Sequence, residues 1–131
     1  MCGPTALSNA LLSVGRDIPP AACAELCGIT PDGIGDEDLE RAIELLDFTP
    51  TVVRSWYALR GALDAGAPVV CSVQEDRPYD HWVAAIGTLG ELIVVADSLS
   101  YEVVKTYKRV DWLAMWSDGA EGRYGVALDS G

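Results

Sequence analysis

Residues 81–98, HWVAAIGTLGELIVVADS, read as two strands joined by a tight turn. HWVAAIGTL and ELIVVADS are apolar runs of strand length, and Gly90 lies between them where a hairpin turns. In an antiparallel hairpin the start of one strand lies beside the end of the other. His81 opens the first strand and Asp97 closes the second, 16 positions later. That spacing suits two strands and a tight turn, and it predicts an imidazole and a carboxylate at one edge of a sheet.

Outward from the hairpin, the hydrophobic period differs between the two halves of the chain. PTALSNALLSV (4–14) spaces Ala6, Leu7, Ala10, Leu11 and Val14 as a helix does, and Gly15 stops it. DIPPAACAELCGI (17–29) reads as a short helix opened by Pro19-Pro20 and closed by Gly28. TPDGIG (30–35) is a loop. DEDLERAIELLDF (36–48) is a third helix, acidic at its start and apolar along Leu39, Ile43, Leu46 and Phe48. Then TPTVVRS (49–55) reads as a strand, WYALRGALDAG (56–66) as a helix and APVVCSV (67–73) as a buried strand. EDRPYD (75–80) is a polar loop before the hairpin. YEVVKTYKR (101–109) is a strand, VDWLAMWSDG (110–119) an amphipathic helix and RYGVALDS (123–130) a last strand. Trp112 and Trp116, one helical turn apart, are expected to pack on the sheet. Early helices and later strands predict an α+β fold, with N-terminal helices packed on an antiparallel sheet in a single domain spanning 1–131.

The 131 residues suffice for one domain with a core. Nine basic and twenty acidic residues leave a net charge of −11. That charge argues against nucleic acid and against an anionic membrane surface as partners. No apolar run approaches the roughly 18 residues a membrane helix needs, and no signal segment is apparent. The expected location is therefore the cytoplasm. Four cysteines occur, at 2, 23, 27 and 71. Cys23 and Cys27 share one helical face and read as buried small residues, and Cys71 reads as core. With His81 the only histidine, a structural metal lacks partners, so no metal or cofactor is expected.

Cys2 has a different setting. MCGPTALSNALL (1–12) puts a thiol at the mouth of the first helix, where unpaired N–H groups favour negative charge. A thiol becomes a nucleophile as the thiolate, and a helix N-terminus with a nearby imidazolium lowers its pKa. Histidine suits the partner's role because it changes charge near neutral pH. Cys2, His81 and Asp97 together read as nucleophile, proton shuttle and orienting carboxylate. A turn or cap at Asp97, before Ser98, is compatible with that role.

CGPTALSNAL, DHWVAAIG and VVADS resemble the cysteine, histidine and aspartate motifs of the C39-like cysteine peptidases, papain-like enzymes that include bacteriocin-leader peptidases. The resemblance continues through GIGDEDLERAIELLDF, SWYALRGALDAGAPVVCSV and RVDWLAMWSDG, nearly the whole chain. It implies catalytic Cys2, His81 and Asp97, a papain-like fold, hydrolysis of a peptide or amide substrate through a thioester, and no metal.

The resemblance departs at one place. The family usually carries a glutamine a few residues before the cysteine, where its amide helps form the oxyanion hole, and here only Met1 precedes Cys2. Loss of one such donor typically costs about 10²–10³ in rate. Several readings stay open. The natural chain extends upstream; another amide substitutes, Gln74 or Asn9, with Gln74 the candidate; or the protein is a weak or inactive peptide-binding relative. A fourth makes Cys2 an N-terminal nucleophile after removal of Met1. An amidase or acyltransferase on the same fold is a further alternative to a hydrolase.

Overall fold

The change of period falls where the sequence places it. The computed structural model describes residues 2–28, 35–74, 81–97, 104–116 and 122–130. Three helices come first: α1 (Cys2–Ser13), α2 (Pro20–Cys27) and α3 (Asp36–Leu45). Then follow β1 (Thr49–Val53), α4 (Trp56–Asp64), β2 (Val69–Val73), β3 (His81–Leu89), β4 (Leu92–Asp97), β5 (Val104–Tyr107), α5 (Arg109–Met115) and β6 (Tyr124–Asp129). The loop read at 30–34, the loop at 75–80, the first residues of the strand read at 101–109 and the end of the helix read at 110–119 lie outside the described residues.

Local chemistry sets the boundaries. Gly28 ends α2 in the left-handed region at φ 67°, and its N–H donates to the carbonyls of Ala24 and Glu25. The Asp38 carboxylate accepts from the Gly35 N–H at 3.3 Å at the start of α3. Ser55 caps α4 by accepting from the Ala58 N–H at 3.1 Å.

The six strands form one antiparallel sheet in the order β1-β6-β2-β3-β4-β5. The last strand thus inserts between the first two. The helices cover both faces. Residues of α1, α2 and α3, among them Leu7, Leu11, Leu39 and Ile43, pack with Val70, Trp82, Ala84, Val126 and Leu128. On the other face Leu59, Leu63, Trp112 and Trp116 pack with Val69, Cys71, Val83, Ile93 and Val95. The early-helix layer is as expected, and α4 and α5 add a second layer. Alternate residues of β2 serve opposite layers, which is why all five residues of VVCSV are buried.

Gly125 on β6 is required by close approach. A Cβ there would lie 3.0 Å from a Val69 methyl, 3.1 Å from the Cys71 sulfur and 3.1 Å from a Val53 methyl. β-branched valines on two neighbouring strands have little rotamer freedom to yield. Gly125→Ala is therefore expected to destabilise the domain by about 1–3 kcal/mol, the usual cost of overpacking. The midpoint of urea unfolding measures it, and an unchanged midpoint would refute the packing argument.

Candidate active site

α1 carries Cys2 as its first residue, in the turn whose N–H groups have no intrahelical acceptor. Pro4 suits that turn because it lacks an N–H that would otherwise need a partner. The helix packs chiefly on β3, so its N-terminus comes to the end of the sheet where β3 begins. His81 is the first residue of β3 and is completely buried.

There Cys2 and His81 meet. The half-exposed Cys2 thiol is hydrogen-bonded to the His81 side chain and to the backbone of Trp82. Burial works against the thiolate and is the largest single influence. The His81 hydrogen bond, the Trp82 backbone and the His81 charge together outweigh it, and the Cys2 thiol lies below its ordinary pKa. The other three thiols behave oppositely. Burial pushes Cys23 up to about 11, with a smaller contribution from Cys27. It pushes Cys27 to about 11 as well, helped by Asp38. Cys71, completely buried in β2, is pushed up by burial alone. All four cysteines are free thiols, and Cys2 alone among them is shifted toward ionisation.

The β3–β4 hairpin places the backbone of Asp97 opposite Val83, two residues along from His81. This end of the sheet is not an outer edge, because β3 and β4 are both interior strands. A β-bulge decides the register. Below it Leu89 pairs with Leu92 and Gly87 with Val94; above it Ala85 pairs with Val95 and Val83 with Asp97. The extra residue, Ile86, shifts the pairing by one. Unbulged, the hairpin would set Asp97 opposite Ala84.

Trp82 is held from behind. Its ring meets Tyr124 edge to face at 6.0 Å. The Tyr124 hydroxyl donates to Glu40 Oε2 at 3.0 Å, and Arg54 lies over the Tyr124 ring at 5.3 Å. Burial and the Glu40 carboxylate push the Tyr124 phenol up, so it stays a neutral donor. Sequence reading missed Tyr124, Glu40 and Arg54, which lie far apart in the chain and carry no local motif.

The two mid-chain amides differ in position. Asn9 is buried in α1, seven residues and so about 10 Å along the axis from Cys2. It does not stand at the thiol. Gln74 follows Val73, the residue opposite His81, and its backbone N–H donates to the Met115 carbonyl at 2.8 Å. It therefore stands at the same end of the sheet as His81. Among the described residues no cluster of three or more His, Cys, Asp or Glu side chains forms a metal site. Among them, too, no helix is long and apolar enough to cross a membrane.

Comparison with known proteins gives this arrangement a setting. A model of the Peptidase_C39 like family matches residues 1–124. The lactococcin-A transport/processing ATP-binding protein LcnC of Lactococcus lactis subsp. lactis is 29% identical over 96 residues. The match covers 73% of this chain and 13% of that protein, so the chain spans a small part of the relative's length. The peptidase domain of Streptococcus ComA, described as a bi-functional ABC transporter involved in quorum sensing, superposes with a TM-score of 0.77 at 16% identity. That superposition covers 98% of this chain and 90% of that domain. The peptidase domain of Streptococcus mutans ComA gives a TM-score of 0.62 at 14% identity, over 79% of this chain and 80% of that one.

Proposed function

The chain belongs to the Peptidase_C39 like family, and from that membership we propose that it is a papain-like cysteine hydrolase whose nucleophile is Cys2, whose acid–base group is His81 and whose orienting carboxylate is Asp97. Family membership supports cysteine peptidase function in general. The observation that supports Cys2 and His81 is the hydrogen bond between them, at the one thiol shifted toward ionisation.

The cleavage proceeds in two halves. The Cys2 thiolate attacks the amide carbonyl and a sulfur–carbon bond forms. The backbone N–H of Cys2, which has no acceptor within α1, donates to the resulting oxyanion. The imidazolium of His81 gives its proton to the leaving nitrogen, the carbon–nitrogen bond breaks, and a thioester remains. Water then attacks the thioester while His81 takes its proton. The sulfur–carbon bond breaks and the thiolate returns. Asp97 keeps the ring in the tautomer that serves both halves. The backbone register supports that role, because the bulge sets Asp97 opposite Val83, two residues along β3 from His81.

The test is the rate of iodoacetamide alkylation of Cys2 against pH. A lowered pKa keeps thiolate present below the ordinary thiol range near 8.5, and the rate falls as pH drops through that lowered value. In His81→Ala the bond and the charge disappear and burial is left opposed mainly by the Trp82 backbone. The titration then moves up, and the alkylation rate near pH 6.5 falls below that of the wild type. Identical profiles for the two proteins would rule out the thiolate–imidazolium pair.

A further inference from the structure

A groove of about 1080 Å³ lies on the layer opposite α1, between α4, α5 and the β3–β4 turn. Its cationic residues are Arg60, Lys108 and Arg109, three of the nine basic residues in a chain of net charge −11. Against them the groove sets one carboxylate, Glu91. Neither Lys108 nor Arg109 forms an ion pair with a described residue, although acids outnumber bases by about two to one in the chain. The guanidinium of Arg109 lies 5.6 Å from the Trp56 ring centre and 5.5 Å from that of Tyr57. Arg60 also lies over Trp56, at 5.9 Å, and donates to the Gly90 carbonyl at 3.1 Å. Stacking fixes a guanidinium while leaving donors at its edge for a carboxylate. Tyr57 and Val110 are 76% and 71% exposed, so the floor offers apolar surface beside the cations.

From these features we infer that the groove is a docking site for an acidic polypeptide segment bearing apolar side chains. Charge complementarity selects the occupant. At physiological salt, fields fade within about 8 Å, so the three local cations outweigh the distant acids. The volume exceeds the usual range of about 300–1,000 Å³ for small-ligand pockets and suits several side chains of a chain. Three cations on an acidic protein do not track a phosphate backbone. The site is remote from the thiol: β3 runs 9 residues from His81 to Leu89, beside the turn, which places the groove about 25–30 Å from the catalytic end. Docking there is independent of the catalytic reading, because it is read by binding without turnover.

Fluorescence anisotropy of the full chain with a labelled peptide of alternating Glu and Leu, carrying one Tyr, tests the inference. The same peptide with Lys in place of Glu and an oligothymidylate are the competitors. The acidic peptide is expected to bind, with affinity falling as salt rises. Arg109→Glu should weaken it about tenfold or more, the scale of one lost charge-assisted contact. The exposed substitution Tyr57→Ser should weaken it several-fold. Arg41→Glu, the same change of charge on α3 across the sheet, should leave it within about twofold. The inference is overturned if the acidic peptide does not bind, if the lysine peptide binds as well, if oligothymidylate displaces it, or if Arg109→Glu binds like wild type. It is also overturned if sedimentation shows that the wild type self-associates through this groove and Arg109→Glu abolishes that, since the occupant is then a second copy.

Discussion

Cys2→Ala is expected to abolish amide cleavage, with a loss of about 10⁴–10⁶ in kcat, the scale seen when a covalent nucleophile is removed from its acid–base partner. His81, the free N–H groups of α1 and the bound substrate all remain, but no group is left to form the thioester. The measurement is release of amine from a fluorogenic peptidyl amide that the wild type turns over. The matched control is Cys71→Ala. Cys71 is completely buried on β2 opposite Val83, and its thiol is pushed up by burial. It is shielded from water in the apolar cluster with α4 and α5, on the layer opposite α1, so its loss leaves turnover near wild type. Retained cleavage in Cys2→Ala would remove Cys2 from the mechanism. Loss of cleavage in a folded Cys71→Ala would mean that the wrong thiol has been assigned.

The contrast between these cysteines shows what local sequence carries. The field at Cys2 is legible because it is made by its own helix start, within a few residues. The hairpin is legible because both strands and the turn are contiguous. The layer of Trp112 and Trp116 is legible from a one-turn spacing. What escaped reading was non-local. β6 enters between β1 and β2, and nothing within RYGVALDS names its neighbours; the clue is Gly125, whose lack of a side chain matters only once Val53 and Val69 flank it. The bulge at Ile86 escaped because an extra residue in an apolar run does not disturb composition, though it moves Asp97 from the register of Ala84 to that of Val83. The groove cations stand at 60, 108 and 109, and only the packing of α4 beside α5 makes them one patch.

Trp116→Ala is expected to be the most damaging single core substitution, at about 3–5 kcal/mol for the lost ring and its cavity plus about 1 kcal/mol for a stranded carbonyl. Trp116 is completely buried, lies 5.9 Å from the Trp112 ring, and donates its indole N–H to the Tyr124 carbonyl at 2.8 Å. It therefore ties α5 to β6, the strand that joins the edge strand β1 to the rest of the sheet. A domain of this size has only about 5–15 kcal/mol of stability, so the variant lies close to unfolding. Trp112 provides the comparison that separates ring from hydrogen bond. It is equally buried, but its indole N–H has no partner among the described residues. Tryptophan to phenylalanine trims similar apolar area at either position. Only at 116 does it also strand the Tyr124 carbonyl. Urea unfolding followed by far-UV circular dichroism should therefore place Trp116→Phe below Trp112→Phe by about 0.5–1.5 kcal/mol, with unchanged m-values. Equal midpoints would mean that the indole bond to Tyr124 contributes nothing net. The reverse order would mean that the Trp112 N–H is satisfied in solution and that Trp112, rather than Trp116, anchors α5.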